Sequence, residues 1–411
     1  MQAEFEQTDV AIIGAGPSGA AAANWLAQQG LQVKVLERSH FPRFSIGESL
    51  LPQCMEYLDF CGLLETATTG NFQRKNGAAF SWGEQYRDID FSDKFSPGPA
   101  TTWQVERSEF DHQLIRGAQA SGVDVEFGSQ VVGFEPDATE PVLQVQPENG
   151  DAYALKSRFV LDASGYGRVL ARLCNLEKAS RLESRCALFT HMRSVVDDEN
   201  YDRKKILICI HPSIKGIWYW FIPFPENRFS VGVVGTPDQL ALFGDDDTQR
   251  LQNTLLDEPR LAKYLKGATS LRDTSKLAGY SADVSALHGP GYALLGNAGE
   301  FLDPVFSSGV TIALKSAVLA APLVHRQLQG ETIDWPSEFE QPLRAGVNTF
   351  KAFVNAWYTN ELPDIIFSDQ DSVRIRQMIS AVLAGYAWDS TNPLVSASER
   401  RLTKLAELCR A

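Results

Sequence analysis

Gly14-Ala15-Gly16-Pro17-Ser18-Gly19 is a Gly-x-Gly-x-x-Gly turn between an apolar run, Val10 to Ile13, and an Ala-rich stretch starting at Ala20. The first glycine permits a tight turn, the second lets a pyrophosphate approach the backbone, and the third lets helix and strand pack closely. The N–H groups at the start of the helix then face the phosphates. Glu37, eighteen residues after Gly19, is placed to accept from a ribose hydroxyl. The chemistry implied is dinucleotide binding.

Such a site needs a strand, a helix and a second strand. Val10 to Ile13 reads as a buried parallel strand, Ala20 to Gln29 as a helix stopped by Gly30, and Gln32 to Leu36 as the next strand. Pro52 to Leu64 predicts a helix, and Ser108-Glu109-Phe110-Asp111 predicts a cap opening another that ends at Gly122. Val123 to Phe134 and Leu143 to Leu161 predict short strands. From about 185 to 236 the chain turns β-rich and aromatic, which predicts a second, antiparallel layer. Tyr292 to Leu295 returns to the parallel-strand style, a long apolar helix is expected from about Val310 to Leu328, and the remainder reads as helical.

Phe159-Val160-Leu161-Asp162-Ala163-Ser164-Gly165 and Leu294-Leu295-Gly296-Asn297-Ala298-Gly299 resemble the second and third FAD-contacting segments of the flavoprotein monooxygenase superfamily, with its para-hydroxybenzoate hydroxylase-like fold. That family usually has Gly-Asp in the third segment. Asn297 stands here instead, and an amide both accepts and donates.

Within that superfamily the chain resembles the flavin-dependent halogenases. Phe41-Pro42-Arg43-Phe44-Ser45-Ile46-Gly47-Glu48-Ser49 matches their Gly-Glu-Ser loop, and Lys75-Asn76-Gly77-Ala78 followed by Trp82 matches the segment with their catalytic lysine. Trp218-Tyr219-Trp220-Phe221-Ile222-Pro223 fits their Trp-x-Trp-x-Ile-Pro box, and Phe301 to Gly309 fits their Phe-x-x-Pro-x-x-Ser-x-Gly loop. The branch acting on phenolic, pyrrolic or carrier-bound substrates is the most similar. The chain is shorter than tryptophan halogenases usually are.

The resemblance implies halogenation dependent on FADH2, O2 and chloride or bromide, through a flavin hydroperoxide and hypohalous acid directed by Lys75. A buried amine can hold that acid by a hydrogen bond or form a haloamine, and burial favours its neutral form. The resemblance also implies cofactor contacts from Gly14, Gly16, Pro17, Ser18, Gly19, Glu37, Arg38, Arg43, Ser49, Arg107, Asp162, Gly165, Asn297, Pro304, Ser308 and Gly309. Trp218, Trp220 and Phe306 would line the path to substrate. Alternation puts both tryptophans on one strand face, where sheet packing alone also accounts for them. Glu48, Arg43 and Asp303 read as structural around the flavin, and Arg107 equally suits a surface ion pair. His112 and His191 show no base-plus-nucleophile setting.

The expected fold is α/β and α+β. A Rossmann-like FAD-binding domain (1–180 and 275–335, with strands from about 75–105 joining the substrate sheet) is interleaved with an antiparallel-sheet substrate domain (181–274). A C-terminal helical region (336–411) closes it. The 411 residues suit two or three domains. A net charge of -13 argues against nucleic acid or an anionic membrane as partner. No apolar run reaches the roughly 18–20 residues of a transmembrane segment. Met1 to Asp9 carries acids where a signal peptide has bases. Six scattered cysteines form no Cys-x-x-Cys pair, the histidine spacing suggests no metal site, and the cytoplasm is the expected compartment. With one dinucleotide fingerprint, reduced flavin is expected from a separate NAD(P)H-dependent flavin reductase. The rival readings are an aromatic monooxygenase, a geranylgeranyl-reductase-like flavoprotein, and a degenerate flavoprotein kept for binding.

Overall fold

The computed structural model describes residues 6–180, 183–279, 283–369 and 372–410. Met1 to Phe5, part of the acid-bearing stretch Met1 to Asp9 read above, lie outside the described residues, as does the expected boundary at 181.

Glu6–Ile13 is the centre of an eight-stranded sheet. Val33–Glu37 and Tyr153–Asp162 flank it in parallel, with Asp124–Phe127 and Tyr292–Leu294 parallel beyond them. Val10 to Ile13 are all buried, because helices cover both faces and alternation has no place there. The Pro17–Gln28 helix lies close to Ser308–Leu328, and its run Ala20 to Ala23 is fully buried. Small side chains permit that approach.

Ser308–Leu328 has 21 residues and contains an 18-residue stretch with a mean hydropathy of 1.4; among the described residues it is the one helix long and apolar enough to cross a membrane by length and composition. This corrects the expectation that no segment would qualify. Lys315 and Ser316 interrupt the apolar run in the sequence, yet the stretch around them stays apolar on average. In the fold, 61% of the apolar window is buried, against Pro17–Gln28, Cys54–Phe60 and Gln341–Tyr358.

A second sheet runs, in spatial order, Thr269–Ser270, Cys186–Arg193, Arg228–Gly235, Trp218–Phe224, Lys205–Ile210, Gly77–Trp82 and Gln85–Asp90. Its pairings are antiparallel except one: Lys205–Ile210 runs parallel to Gly77–Trp82. All seven residues of Trp218–Phe224 are buried. Trp218, Trp220 and Ile222 join the main core, while Tyr219 and Phe221 join a second core that includes Leu251 and Leu261 of the Asp247–Asp257 and Pro259–Tyr264 helices.

Two helices differ from expectation. Pro52 to Leu64 divides into Cys54–Phe60 and a short turn, Leu64–Ala67, because Gly62 takes φ +70° between them. Arg107–Ala120 begins one residue before the expected cap, and the side chain of its N-cap residue, Glu106, pairs instead with Arg228.

Candidate active site

The glycine turn is built as a cradle. A Cβ on Gly14 would stand 2.6 Å from the Ala163 carbonyl oxygen, and one on Gly19 would stand 2.0 Å from that of Gly14. A Cβ on Gly16 would meet nothing nearer than Arg43 Nη2, at 3.7 Å. Space is therefore kept open at the helix N-terminus, where Gly16 gives no side-chain cap and Pro17 lacks an N–H. Glu37 accepts from Ala15 N and Ser39 N, both at 2.9 Å, so it braces the cradle it would share with a ribose. Ser18 is buried at the helix start and Arg38 is exposed beside Glu37.

Asp162 is 0% exposed and accepts from Ser164 N at 2.9 Å and Leu170 N at 2.7 Å. Burial pushes its carboxyl pKa up. Both oxygens shape the turn that carries Gly165, at φ +59°. Asn297 is half-buried in the turn Gly296–Ala298, and its side-chain amide has no hydrogen bond among the described residues.

Arg107 forks onto Asp111, with Nε at 2.7 Å and Nη2 at 2.9 Å, and its Nη1 donates to Ile46 O at 2.9 Å. Arg43 Nη1 reaches the same Asp111 at 3.0 Å. Arg107 is therefore no surface ion pair. The two arginines and Asp111 fix the Gly-Glu-Ser loop over the glycine turn. Within the loop Glu48, 1% exposed, meets His191 Nε2 at 2.7 Å through Oε1. Its Oε2 has no partner among the described residues. Gln104, 0% exposed, has neither amide atom paired there and bridges Ser49 through the backbone. A buried polar group left unpaired costs about 1–3 kcal/mol, so two together suit a polar ligand. No sequence signal marked Gln104.

Lys75 ends the short strand Gln73–Lys75, paired with Thr102–Gln104. It is 1% exposed. Its Nζ donates to Ser49 Oγ and to Leu50 O, each at 2.8 Å, and lies 5.6 Å from the Phe91 ring centre. Burial pushes its pKa down to about 7. The Cys54 thiol, pushed up by burial, meets Thr311 Oγ1 at 3.2 Å. Cys54 and Thr311 thus link the lysine's surroundings to the first turn of Ser308–Leu328.

Trp218 and Trp220 lie with ring centres 6.0 Å apart. Trp220 Nε1 donates to Ser230 Oγ at 3.0 Å, and its ring covers Gly232. Trp218 Nε1 donates to Tyr358 Oη at 2.8 Å. Phe306 meets Trp357 edge-on at 5.9 Å. Pro304 opens the turn Pro304–Phe306, Ser307 takes φ +57°, and buried Ser308 and Gly309 begin the long helix with no side-chain cap. A cavity of about 690 Å³ opens behind this loop at Phe301, Leu302, Thr349 and Ser398. Lys75 and the two tryptophans do not line it.

A family model described as an FAD binding domain matches residues 7–201. The chain is 31% identical to a flavin-dependent halogenase, armH3, from Armillaria mellea, over 79% of this chain and 68% of that one. The chain belongs to the flavin-dependent halogenase family. A tryptophan 2-halogenase from Chondromyces crocatus is 32% identical over 81% of this chain, which spans 64% of that relative's length. A 1H-pyrrole-2-carbonyl-[peptidyl-carrier protein] chlorinase from Pseudomonas fluorescens is 28% identical over 85% of this chain and 83% of its own. Among solved structures, a flavoprotein/dehydrogenase from Cytophaga hutchinsonii superposes with a TM-score of 0.95 at 39% identity, covering 98% and 99% of the two chains. The myxobacterial chondrochloren halogenase CndH gives 0.79 at 27%, covering 98% and 97%. The open Gly16 position, the half-buried Asn297 amide and the unpaired atoms of Glu48 and Gln104 fit the FAD that this halogenase family carries.

Proposed function

We propose that this protein halogenates an electron-rich aromatic substrate, free or carrier-bound, using FADH2, O2 and chloride or bromide. The balance is ArH + X⁻ + H⁺ + O2 + FADH2 → ArX + FAD + 2 H2O. FAD, when bound and reduced, supplies the two electrons and the oxygen activation that turn halide into hypohalous acid.

Lys75 carries this reading. A neutral amine has two N–H groups and one lone pair, and the structure gives Nζ two acceptors, Ser49 Oγ and Leu50 O. Both hydrogens are thereby used and the lone pair is left for an electrophile. It either accepts the O–H of hypohalous acid or takes the halogen, releasing water and forming an N–X bond that the arene then attacks. A pKa of about 7 keeps a large fraction of the amine neutral near neutrality. Gly14, Gly16, Ser18 and Gly19 bind the pyrophosphate. Glu37 binds the ribose, Asn297 the ribityl chain, and the Pro304–Gly309 loop the ring system. Trp218 and Trp220 keep substrate from the flavin. Reduced flavin arrives from a separate NAD(P)H-dependent reductase, and the six unpaired cysteines suit the cytoplasm.

The test supplies FADH2, O2 and bromide with a panel of phenols, indoles and pyrroles, free and carrier-loaded, and reads products by mass. A brominated product supports the halogenase. The second reading is a flavin-dependent dehydrogenase or reductase acting without halide, favoured by the 39% identity to a flavoprotein/dehydrogenase. Bleaching of bound flavin by NADPH alone with a hydroxylated product would favour the aromatic monooxygenase, and bleaching with neither halogenated nor hydroxylated product would favour this second reading.

A further inference from the structure

The hydroxyl of Tyr358 joins two parts of the site that lie far apart in sequence. It accepts from Trp218 Nε1 at 2.8 Å and donates to Asp303 Oδ2 at 2.7 Å. The direction is fixed, because an indole only donates and a carboxylate only accepts. Asp303 also accepts, through Oδ1, from Val305 N at 3.1 Å, and so holds the turn Pro304–Phe306. The Arg185 guanidinium lies 3.6 Å over the Tyr358 ring and is itself tied to Gly216 O at 3.0 Å. Neighbouring Trp357 packs against Phe306 and Phe80. The end of Gln341–Tyr358 thus clamps the flavin-side loop to the tryptophan strand. Without the phenol, the buried indole N–H would lose this acceptor.

We propose that Tyr358 is a positioning residue that fixes the Trp218 indole against the flavin-side loop, so that hypohalous acid made beside that loop is guided to Lys75 rather than lost. The delivery role rests on the halogenase reading. The contact itself does not. Burial and the Asp303 carboxylate push the phenol pKa well above its usual value, so the bond pattern holds throughout the working pH range.

The test uses Tyr358→Phe in the full chain. In the flavin-free protein labelled with ¹⁵N-tryptophan, one indole N–H resonance should move, and it should be the one that Trp218→Phe removes. With FADH2, O2 and bromide, flavin reoxidation should match the parent, while oxidant captured by a diffusible β-diketone trap should rise about fivefold relative to product, the scale of one lost neutral hydrogen bond. Adding Trp218→Phe to Tyr358→Phe should not increase the leak further. An unmoved resonance overturns the contact. An unchanged partition in a parent that does halogenate overturns the delivery role alone. A parent that makes no halide-dependent oxidant removes the delivery role together with the halogenase reading.

Discussion

Lys75 donates to Ser49 across 26 residues of sequence, at 2.8 Å, so the lysine segment and the Gly-Glu-Ser loop form one unit. The loop that the Arg43–Asp111–Arg107 network holds over the glycine turn therefore also aims the amine. In the proposed mechanism, the same loop that would border the cofactor also fixes where Nζ stands.

Lys75→Ala should leave FAD binding and reoxidation near those of the parent and remove halogenated product. Lys75→Arg should not restore it, since guanidinium stays charged and offers no nucleophilic amine. Product from Lys75→Ala at the parent's rate, measured by mass spectrometry under saturating FADH2, would falsify the lysine mechanism.

The pH profile follows from the amine. Activity that needs neutral Lys75 rises as pH passes through about 7. Ser49→Ala removes an acceptor that favours the ammonium, so the rising limb should move to lower pH, by roughly half a unit to one unit. A limb that stays put, or moves upward, contradicts this assignment of the Ser49 bond.

Stability gives a separate readout. The folded-state pKa of Lys75 lies below its unfolded value, so between about 7 and about 10.4 the unfolded chain binds the extra proton and stability rises with pH. Below about 7 both states are protonated and the full burial cost is present. Lys75→Met removes the term. Chemical denaturation at several pH values should show the variant's stability relative to the parent falling steadily across that window. A pH-independent difference would place the lysine's pKa near its ordinary value.

Gly16→Val should fold and lose FAD. Its Cβ meets only Arg43 Nη2, so the apoprotein has room for it. The remaining methyl groups project where a pyrophosphate needs the backbone. Parent-like melting with flavin affinity at least a hundredfold weaker, about 2.7 kcal/mol, is the expected pair of results in calorimetry and flavin titration. Parent-like affinity would put the pyrophosphate elsewhere.

Gly232→Ala should disturb Trp220. Its Cβ would lie 2.3 Å from the indole ring, and the ring is hemmed in by Trp218 and Phe189. Overpacking of this kind costs about 1–3 kcal/mol. The loss should appear in denaturant melts, with a changed environment for one indole by fluorescence.

Local motifs were legible in the sequence. Gly14 to Gly19 and Glu37 lie on one strand–turn–helix–strand unit, so spacing alone fixes their neighbourhood. The alternation in Trp218–Phe224 likewise put both tryptophans on one face. Lys75 was reached through family resemblance, and its burial came only from the fold. Asp162 sat in a recognisable segment, yet the structure turns both its oxygens to backbone N–H groups. Glu48 meets His191 across 143 residues, and Tyr358 meets Asp303 across 55. Such pairings leave no period or spacing to read. The parallel pairing of Lys205–Ile210 with Gly77–Trp82 was hidden for the same reason, since strand neighbours chosen over long loops are not encoded in the strands themselves.

The strand Trp218–Phe224 is buried on both faces, and its alternate residues face different cores. That separation has a use in engineering. Ala78, Phe80 and Trp82 on the next strand but one follow the same rhythm, as do Ala187 and Phe189 at the far side. Exchanging these positions would repack the main-core side of the sheet while Tyr219, Phe221 and Val231 still anchor the opposite side. Both sets are buried, so a library in either must conserve volume: a Phe80 or Phe189 truncation would cost about 3–5 kcal/mol, and changes confined to one set leave the packing on the other side of the sheet intact.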